Sequence, residues 1–214
     1  MWARIEPDQV HAAATAGLAW LALSGCTTST DHHYVFPRRG ARGGQAFAEP
    51  LAAEIAAAAA VGLRFHPCRG SMDLGKSAGG LPPDEVVEDT DQALAATAAA
   101  IEAYHDPSPG AMVRIAVGPC SPFTASRELM RESARLARAT GTRLHTHLAE
   151  TRDEEDSLRA KTGLSPAEFA AETGWLADDA WLAHGVYLDD PAIARLAAAG
   201  TGVAHCPSSN GRLG

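Results

Sequence analysis

The sequence has few cysteines and no excess of basic residues. Its four cysteines form no Cys-x-x-Cys pair and nothing resembles a cleaved signal peptide, so we expect free thiols in a reducing cytoplasm. Lysine and arginine number 18 against 26 acidic residues, a net charge of −8. Because proteins that bind a phosphate backbone usually cluster basic side chains, this balance argues against a nucleic-acid partner and favours a small-molecule ligand.

Long apolar runs and glycine-rich phosphate loops are also missing. The longest apolar runs, such as residues 56–63, are too short to cross a bilayer, so we expect no membrane partner. No GxGxxG or GxxxxGK[ST] pattern follows any predicted strand, which argues against a nucleotide-binding doubly wound sheet. With 46% hydrophobic residues in 214, the chain can bury a core, and we expect residues 1–214 to form one domain or most of one.

Short apolar runs alternate with helical patterns along the whole chain, which is typical of repeated βα units around a parallel sheet. The predicted strands are residues 25–32, 62–67, 112–117, 142–148, 180–187 and 202–205. The predicted helices are residues 7–23, 48–60, 83–104, 126–140, 152–161, 166–173 and 191–199. A (β/α)₈ barrel needs eight strands and typically about 250 residues. We therefore predict an α/β fold, an incomplete TIM barrel of about six βα units that lacks one strand at each end.

Histidines concentrate near the ends of these predicted strands. Seven of the nine lie at or beside a strand end. They are His32, His33, His66, His145, His147, His184 and His205. Because a barrel builds its active site at the carboxyl ends of its strands, this distribution predicts a site there.

The clearest local motif is residues 144–150, which read LHTHLAE. Alternation along a strand places His145 and His147 on one face, and Glu150 follows where the strand gives way to a loop. A neutral imidazole binds a divalent metal, which lowers the pKa of water, and a neighbouring carboxylate moves protons, so the motif indicates metal-assisted hydrolysis. His184 ends the next strand and strengthens this interpretation. The alternative is that these are hydrogen-bonded core histidines.

Longer strings resemble a known family. HTHLAET, WLAHGVYLDD and GTGVAHCPSSNGRLG look like the fifth to seventh strands of the amidohydrolase superfamily, in its deaminase and chlorohydrolase branch. SGCTTSTDHHYVFP and RFHPCRGSMDLGKSAGGLPPDEVVED resemble the subgroup of 8-oxoguanine deaminases, hydroxyatrazine hydrolases and isoxanthopterin deaminases. The resemblance covers essentially the whole chain. It implies hydrolytic deamination of an amino-substituted purine, pterin or triazine ring, with an 8-oxoguanine-like substrate favoured.

The resemblance also implies roles for single residues. His147 matches a ligand of a divalent zinc or iron ion, and Glu150 matches the general acid/base. His184 matches a histidine that contacts the hydrolytic water or the metal. Substrate contacts are implied for Arg69, Cys120 and His205, and His205 and Asn210 are expected to shape the mouth of the site. Since relatives often dimerise, a homodimer is expected by analogy.

Two family features do not appear in the sequence. The first-strand HxH pair of metal ligands is absent, because His32 and His33 are adjacent and would point to opposite faces of a strand. No aspartate ligand of an eighth strand is present either. His147 and His184 fall short of the three protein ligands of an ordinary catalytic zinc site. A non-catalytic barrel fragment or binding remnant, and a different barrel or flavodoxin-like sheet without metal, therefore stay open as alternatives.

Overall fold

A computed structural model describes residues 2–37 and 49–213. The helices are α1 (Pro7–Leu23), α2 (Pro50–Val61), α3 (Thr90–Tyr104), α4 (Arg127–Thr140), α5 (Arg152–Thr162), α6 (Pro166–Glu172), α7 (Asp190–Ala199) and α8 (Pro207–Leu213). The strands are β1 (Thr28–Ser29), β2 (His32–His33), β3 (Arg64–Phe65), β4 (Cys68–Ser71), β5 (Ala116–Pro119), β6 (Arg143–Leu148), β7 (Ala180–His184) and β8 (Gly202–Ala204). Short 3-10 helices lie at Trp2–Arg4, Lys76–Ala78 and Asp84–Val86.

Six parallel strands form the main sheet in the order β2-β4-β5-β6-β7-β8. Sequential strands are neighbours throughout, and helices connect most of them, which is the arrangement of successive βα units in a barrel. The prediction of an incomplete TIM barrel with six units is confirmed.

The first two predicted strands are each interrupted. Residues 25–32 were expected as one strand, but β1 and β2 are separate, and β1 pairs with β3 in a small parallel sheet. Pro67 lies between β3 and β4 and has no backbone N–H to donate, which favours a break in the ladder. The true second strand of the main sheet therefore continues to Ser71. The strand predicted at residues 62–67 covers only β3, and β4 of the main sheet lies beyond its predicted end.

The main core lies between the sheet and the helices. Leu144, Leu148 and Leu182 of β6 and β7 point into it, and Trp175 is fully buried there. Trp175 donates its indole N–H to the carbonyl of Met130 at 3.0 Å. Because strands alternate, the residues between these leucines face the opposite side, which is the inner face of the barrel.

Several helix ends follow their sequence signals. Ser126 caps α4 by accepting from the N–H of Leu129, and Gly141 ends that helix in the left-handed conformation. No helix among the described residues is long and apolar enough to span a membrane.

Candidate functional site

The inner face of the sheet carries a cluster of histidine rings. His145 and His147 alternate with the core leucines of β6 and so point inward. His32 of β2 joins them, with its ring 4.7 Å from that of His145 and 4.6 Å from that of His147. His184 of β7 is 5.3 Å from His147 by ring centroids. The fold therefore gathers four histidines from three strands at one place.

The ring of His147 is held in a defined protonation state. Its Nδ1 lies 2.8 Å from the carbonyl oxygen of Cys120, which can only accept, so Nδ1–H donates this bond. The Nε2 lone pair is then left for a ligand or a metal. Burial lowers the pKa of His147, which keeps the imidazole neutral.

His184 and Glu150 are in direct contact. His184 Nε2 lies 3.2 Å from Glu150 Oε1, and His184 Nδ1–H donates to Asn210 Oδ1 at 2.8 Å. His184 has φ 77° and Ala149 has φ 51°, a left-handed region that non-glycine residues rarely adopt. These two bends turn the chain at the ends of β6 and β7 and bring the two side chains face to face.

Burial keeps the inner histidines neutral. The pKa of His145 is lowered to about 4 by burial, and the pKa of His32 is lowered well below its usual value by burial and by the neighbouring His147. His145 also stacks on Trp181 at 4.7 Å and bonds the Trp181 carbonyl through Nδ1 at 2.9 Å. Neutral imidazoles are the form that binds metals and accepts protons.

His32 depends on a glycine in the neighbouring strand. Its Nε2–H donates to the carbonyl of Gly118 at 2.8 Å. A Cβ at residue 118 would stand 3.0 Å from His32 Nε2 and 2.8 Å from the Cβ of Cys68. Only glycine lets the His32 ring lie across β5 and stack on His147. His33 faces the opposite side, as the alternation requires, and pairs with Glu54 of α2 at 3.0 Å.

Of the predicted substrate contacts, the structure brings only Cys120 to the cluster. Its Sγ is 3.9 Å from His147 Nδ1, and burial raises the pKa of the thiol to about 12, which keeps it protonated. His205 is exposed after β8. Neither residue is shown to contact a substrate, and both roles stay predictions.

Arg69 lies away from the histidine cluster. It is the register partner of His33 and so lies on the face opposite to His32. Its guanidinium forms a two-pronged ion pair with Glu88 at 2.7 and 2.8 Å and covers the ring of Phe36 at 3.6 Å. This pair uses the two terminal nitrogens of Arg69, whereas its Nε has no hydrogen-bond partner among the described residues. The predicted substrate contact of Arg69 stays a prediction.

Three contributors were missed from the sequence. His32 was not assigned to the site from the sequence, because His33 is adjacent to it. Alternation along a strand nevertheless directs one of the two rings to the inner face. Tyr34 lies edge-on to His32 at 5.2 Å and to His147 at 5.8 Å, and burial raises its pKa to about 12. Glu154 contacts the backbone beside Glu150, and its position three residues after Thr151, as in a capping box, was the available signal.

The donor chemistry fits a divalent metal, but only in part. His147 presents a free Nε2 lone pair, and His184 lies beside it with Nε2 directed at Glu150. Across residues 2–37 and 49–213, no group of three or more histidine, cysteine, aspartate or glutamate side chains is placed to hold a metal ion. A catalytic zinc site ordinarily has three protein ligands, so these residues can supply part of one.

Comparisons with known proteins agree with this geometry. The chain is 45% identical to 8-oxoguanine deaminase of Pseudomonas aeruginosa over 213 residues, which is 100% of this chain and 46% of that protein. It is 40% identical to hydroxydechloroatrazine ethylaminohydrolase of Pseudomonas sp. strain ADP, over 97% of this chain and 42% of that protein. The crystal structure of atrazine chlorohydrolase from Arthrobacter aurescens TC1 complexed with zinc superimposes with a TM-score of 0.90 at 36% identity, covering 98% of this chain and 45% of that one.

The chain thus spans less than half the length of the curated relatives it matches. The amidohydrolase family matches residues 1–214. The half-barrel of parallel strands is consistent with that match. The chain belongs to the amidohydrolase family.

Proposed function

We propose that this chain supplies part of the active site of a metal-dependent aminohydrolase. The enzyme would remove an amino group by hydrolysis from a purine, pterin or triazine ring, with an 8-oxoguanine-like ring favoured. The observation that carries the proposal is the contact of His184 Nε2 with Glu150 Oε1 at 3.2 Å, beside a His147 ring whose Nε2 is free. A proton-accepting carboxylate next to imidazole nitrogens that can bind a metal is the set that hydrolysis at a ring carbon needs.

Each side chain has a distinct part in this proposal. Glu150 accepts a proton from the attacking water and delivers it to the leaving nitrogen, so that a C–O bond forms, the C–N bond breaks and ammonia departs. His184 is oriented by Asn210, which accepts from its Nδ1–H, so the Nε2 lone pair of His184 is left beside Glu150. His147 and His184 would hold a zinc or iron ion together with ligands from parts of the protein outside these 214 residues. When bound, such an ion lowers the pKa of water toward 7.

The substrate class rests on the relatives and on the inner face. An 8-oxoguanine deaminase and a triazine-ring hydrolase are both at least 40% identical to the chain. Tyr34 adds a flat apolar ring beside His32 and His147, which suits a planar heterocycle. The same proposal covers the organisation and location of the protein. Residues 1–214 form one partial barrel domain, and the protein is cytoplasmic and forms a homodimer. It has no nucleic-acid or membrane partner.

The test is release of ammonia from guanine, 8-oxoguanine and isoxanthopterin, or of ethylamine from hydroxyatrazine, by the full-length protein. Glu150→Gln removes the proton acceptor but keeps the shape, so kcat should fall by about 10²- to 10⁴-fold while zinc content stays unchanged. Glu132→Gln, in an exposed pair with Arg135 on α4, is the matched control and should keep full activity. Full activity in Glu150→Gln would remove Glu150 from its role, and release of neither ammonia nor ethylamine from any of these rings would reject the reaction class.

A further inference from the structure

The backbone just before Glu150 is strained. Ala149 is fully buried and has φ 51°, in the left-handed region. For a residue with a Cβ this conformation is unfavourable, so surrounding contacts must hold it. Residue 149 stands between His147 and Glu150, and its conformation decides where the Glu150 side chain points.

A buried carboxylate holds this turn in place. Glu154 of α5 is 1% exposed. Its Oε1 accepts from the N–H of Ala149 at 2.8 Å, and its Oε2 accepts from the N–H of Glu150 at 2.9 Å. Both oxygens are therefore used on two consecutive amides of the strained turn. Thr151, the N-cap of α5, accepts from the N–H of Glu154 and fixes the base of its side chain.

The start of α6 shows what an ordinary capping residue does in this protein. Glu168 occupies the same third helical position, but its carboxylate reaches back only to its own N-cap, Ser165, at 2.9 Å. That contact lowers the pKa of Glu168, which is half-buried. Burial instead raises the pKa of Glu154 to about 7, so this carboxylate is kept inside at a cost. Capping a helix does not require that cost.

The far side of the turn is tied to the segment that follows β7. Gly185 N–H donates to the Leu148 carbonyl and Tyr187 N–H to the Ala149 carbonyl, each at 3.0 Å. The backbone N–H groups of the turn therefore donate to Glu154, and its carbonyl oxygens accept from the residues that follow His184. Both sides together set the 3.2 Å contact between His184 and Glu150.

We propose that Glu154 is a positioning residue, which fixes the turn at residues 149–150 and so aims the Glu150 carboxylate at His184. Its consequence for catalysis rests on the proposed function, whereas the positioning itself does not. Glu154 touches neither substrate nor reacting atoms and acts only through Glu150. Gln at this place keeps the shape but offers one acceptor for two N–H donors, so the turn loses a hydrogen bond.

The positioning is tested by NMR on the full-length protein. In Glu154→Gln, amide exchange at residue 149 or 150 should accelerate at least tenfold, and the ring signals of His184 should shift as much as they do in Glu150→Gln. Glu154→Asp keeps the charge but withdraws the oxygens by one methylene, and should give the same changes. Glu168→Gln is the matched control and should move neither readout. Unchanged exchange, or an unchanged His184 signal, would overturn the proposal whether or not the enzyme is active.

The catalytic consequence is tested on the full-length enzyme. Glu154→Gln should lower kcat tenfold or more while KM stays within threefold, because a misaimed proton acceptor affects the reaction rather than substrate binding. Glu168→Gln should leave both values unchanged. A wild-type kcat in Glu154→Gln, despite the altered His184 signal, would overturn the role in catalysis. Lack of ammonia or ethylamine release by the wild type would instead reject the proposed function and leave the NMR result to decide the positioning.

Discussion

At the residue scale, the state of His147 depends on one carbonyl group. The oxygen of Cys120 accepts from His147 Nδ1–H at 2.8 Å and also from the backbone N–H of His147 at 3.0 Å. Stacking against His32 limits the rotation of the ring further. A histidine fixed in this way presents Nε2 in one direction, which is how proteins orient metal-binding imidazoles.

His147→Ala should therefore lower the zinc content of the full-length protein. Loss of a hydrogen-bond partner of a metal ligand typically weakens metal affinity by roughly 10- to 100-fold. Because His147→Ala removes the ligand itself, it should weaken zinc affinity at least tenfold. Elemental mass spectrometry after dialysis at fixed free zinc measures this. His11→Gln, on α1 away from the cluster, serves as the control. Equal zinc in the wild type and His147→Ala would count against the site.

Those site residues that lie close together along the chain could be predicted from the sequence. His145, His147 and Glu150 lie within six positions, so strand alternation alone placed them. Contacts between distant segments could not be predicted in this way. The choice of Glu88 as the partner of Arg69, and of Asn210 as the partner of His184, depends on how separate strands and loops pack. For this reason Arg69 was expected at the ligand, whereas the structure gives it a buried ion pair.

At the element scale, one carboxylate ties three elements together at the carboxyl edge of the sheet. Asp73 follows β4 and accepts from the backbone N–H of Ser126 at 2.7 Å and from its hydroxyl at 2.5 Å. It also accepts from the Thr90 hydroxyl at 2.9 Å. Ser126 caps α4 and Thr90 begins α3, so Asp73 fixes the starts of both helices against the strand end.

Asp73→Ala should destabilise the chain by about 2 kcal/mol, because it leaves half-buried donors without an acceptor. Asp189→Ala removes an ordinary N-cap, which accepts from the N–H of Ala192 at 2.8 Å, and should cost about 1 kcal/mol. Urea unfolding of both variants at neutral pH measures the difference. Equal losses in the two would mean that Asp73 acts only as a local cap.

Helices were predicted more closely than strands because their ends carry local chemistry. α1 was expected at residues 7–23 and lies there, and Ser126 and Gly141 mark both ends of α4. β2 and β4 have no such signals. They are two and four residues long, and they are defined by pairing with each other across more than thirty positions of sequence. Pro67 was interpreted as the end of a strand, although it only separates two.

At the scale of the whole molecule, the inner face of the half-barrel is lined by rings that must stay neutral. His32, His66 and His145 all have pKa values lowered first by burial. Each binds a proton less readily in the folded chain than in the unfolded chain. Folding is therefore linked to pH through the buried histidines of the inner face.

His66 allows this linkage to be tested without touching the proposed active site. Burial, helped by the nearby charges of His105, Arg114 and Arg143, lowers its pKa to about 4, and its buried Nε2 has no hydrogen-bond partner among the described residues. An unfolded histidine has a pKa near 6.5. Between these two values the unfolded chain binds more protons, so the stability from this residue rises with pH from about 4 to about 6.5.

His66→Phe removes the titrating group and keeps a ring against Trp181, 5.4 Å away in the wild type. The drop in unfolding free energy between pH 7 and pH 4.5 should become smaller by about 2 kcal/mol. Urea unfolding at the two pH values gives the quantity, and His205→Gln, at an exposed position, should leave the drop unchanged. If His66→Phe showed the wild-type drop, His66 would have to be protonated in the folded chain as readily as in the unfolded one. Water would then reach the inner face of the sheet more readily than the burial of its histidine rings indicates.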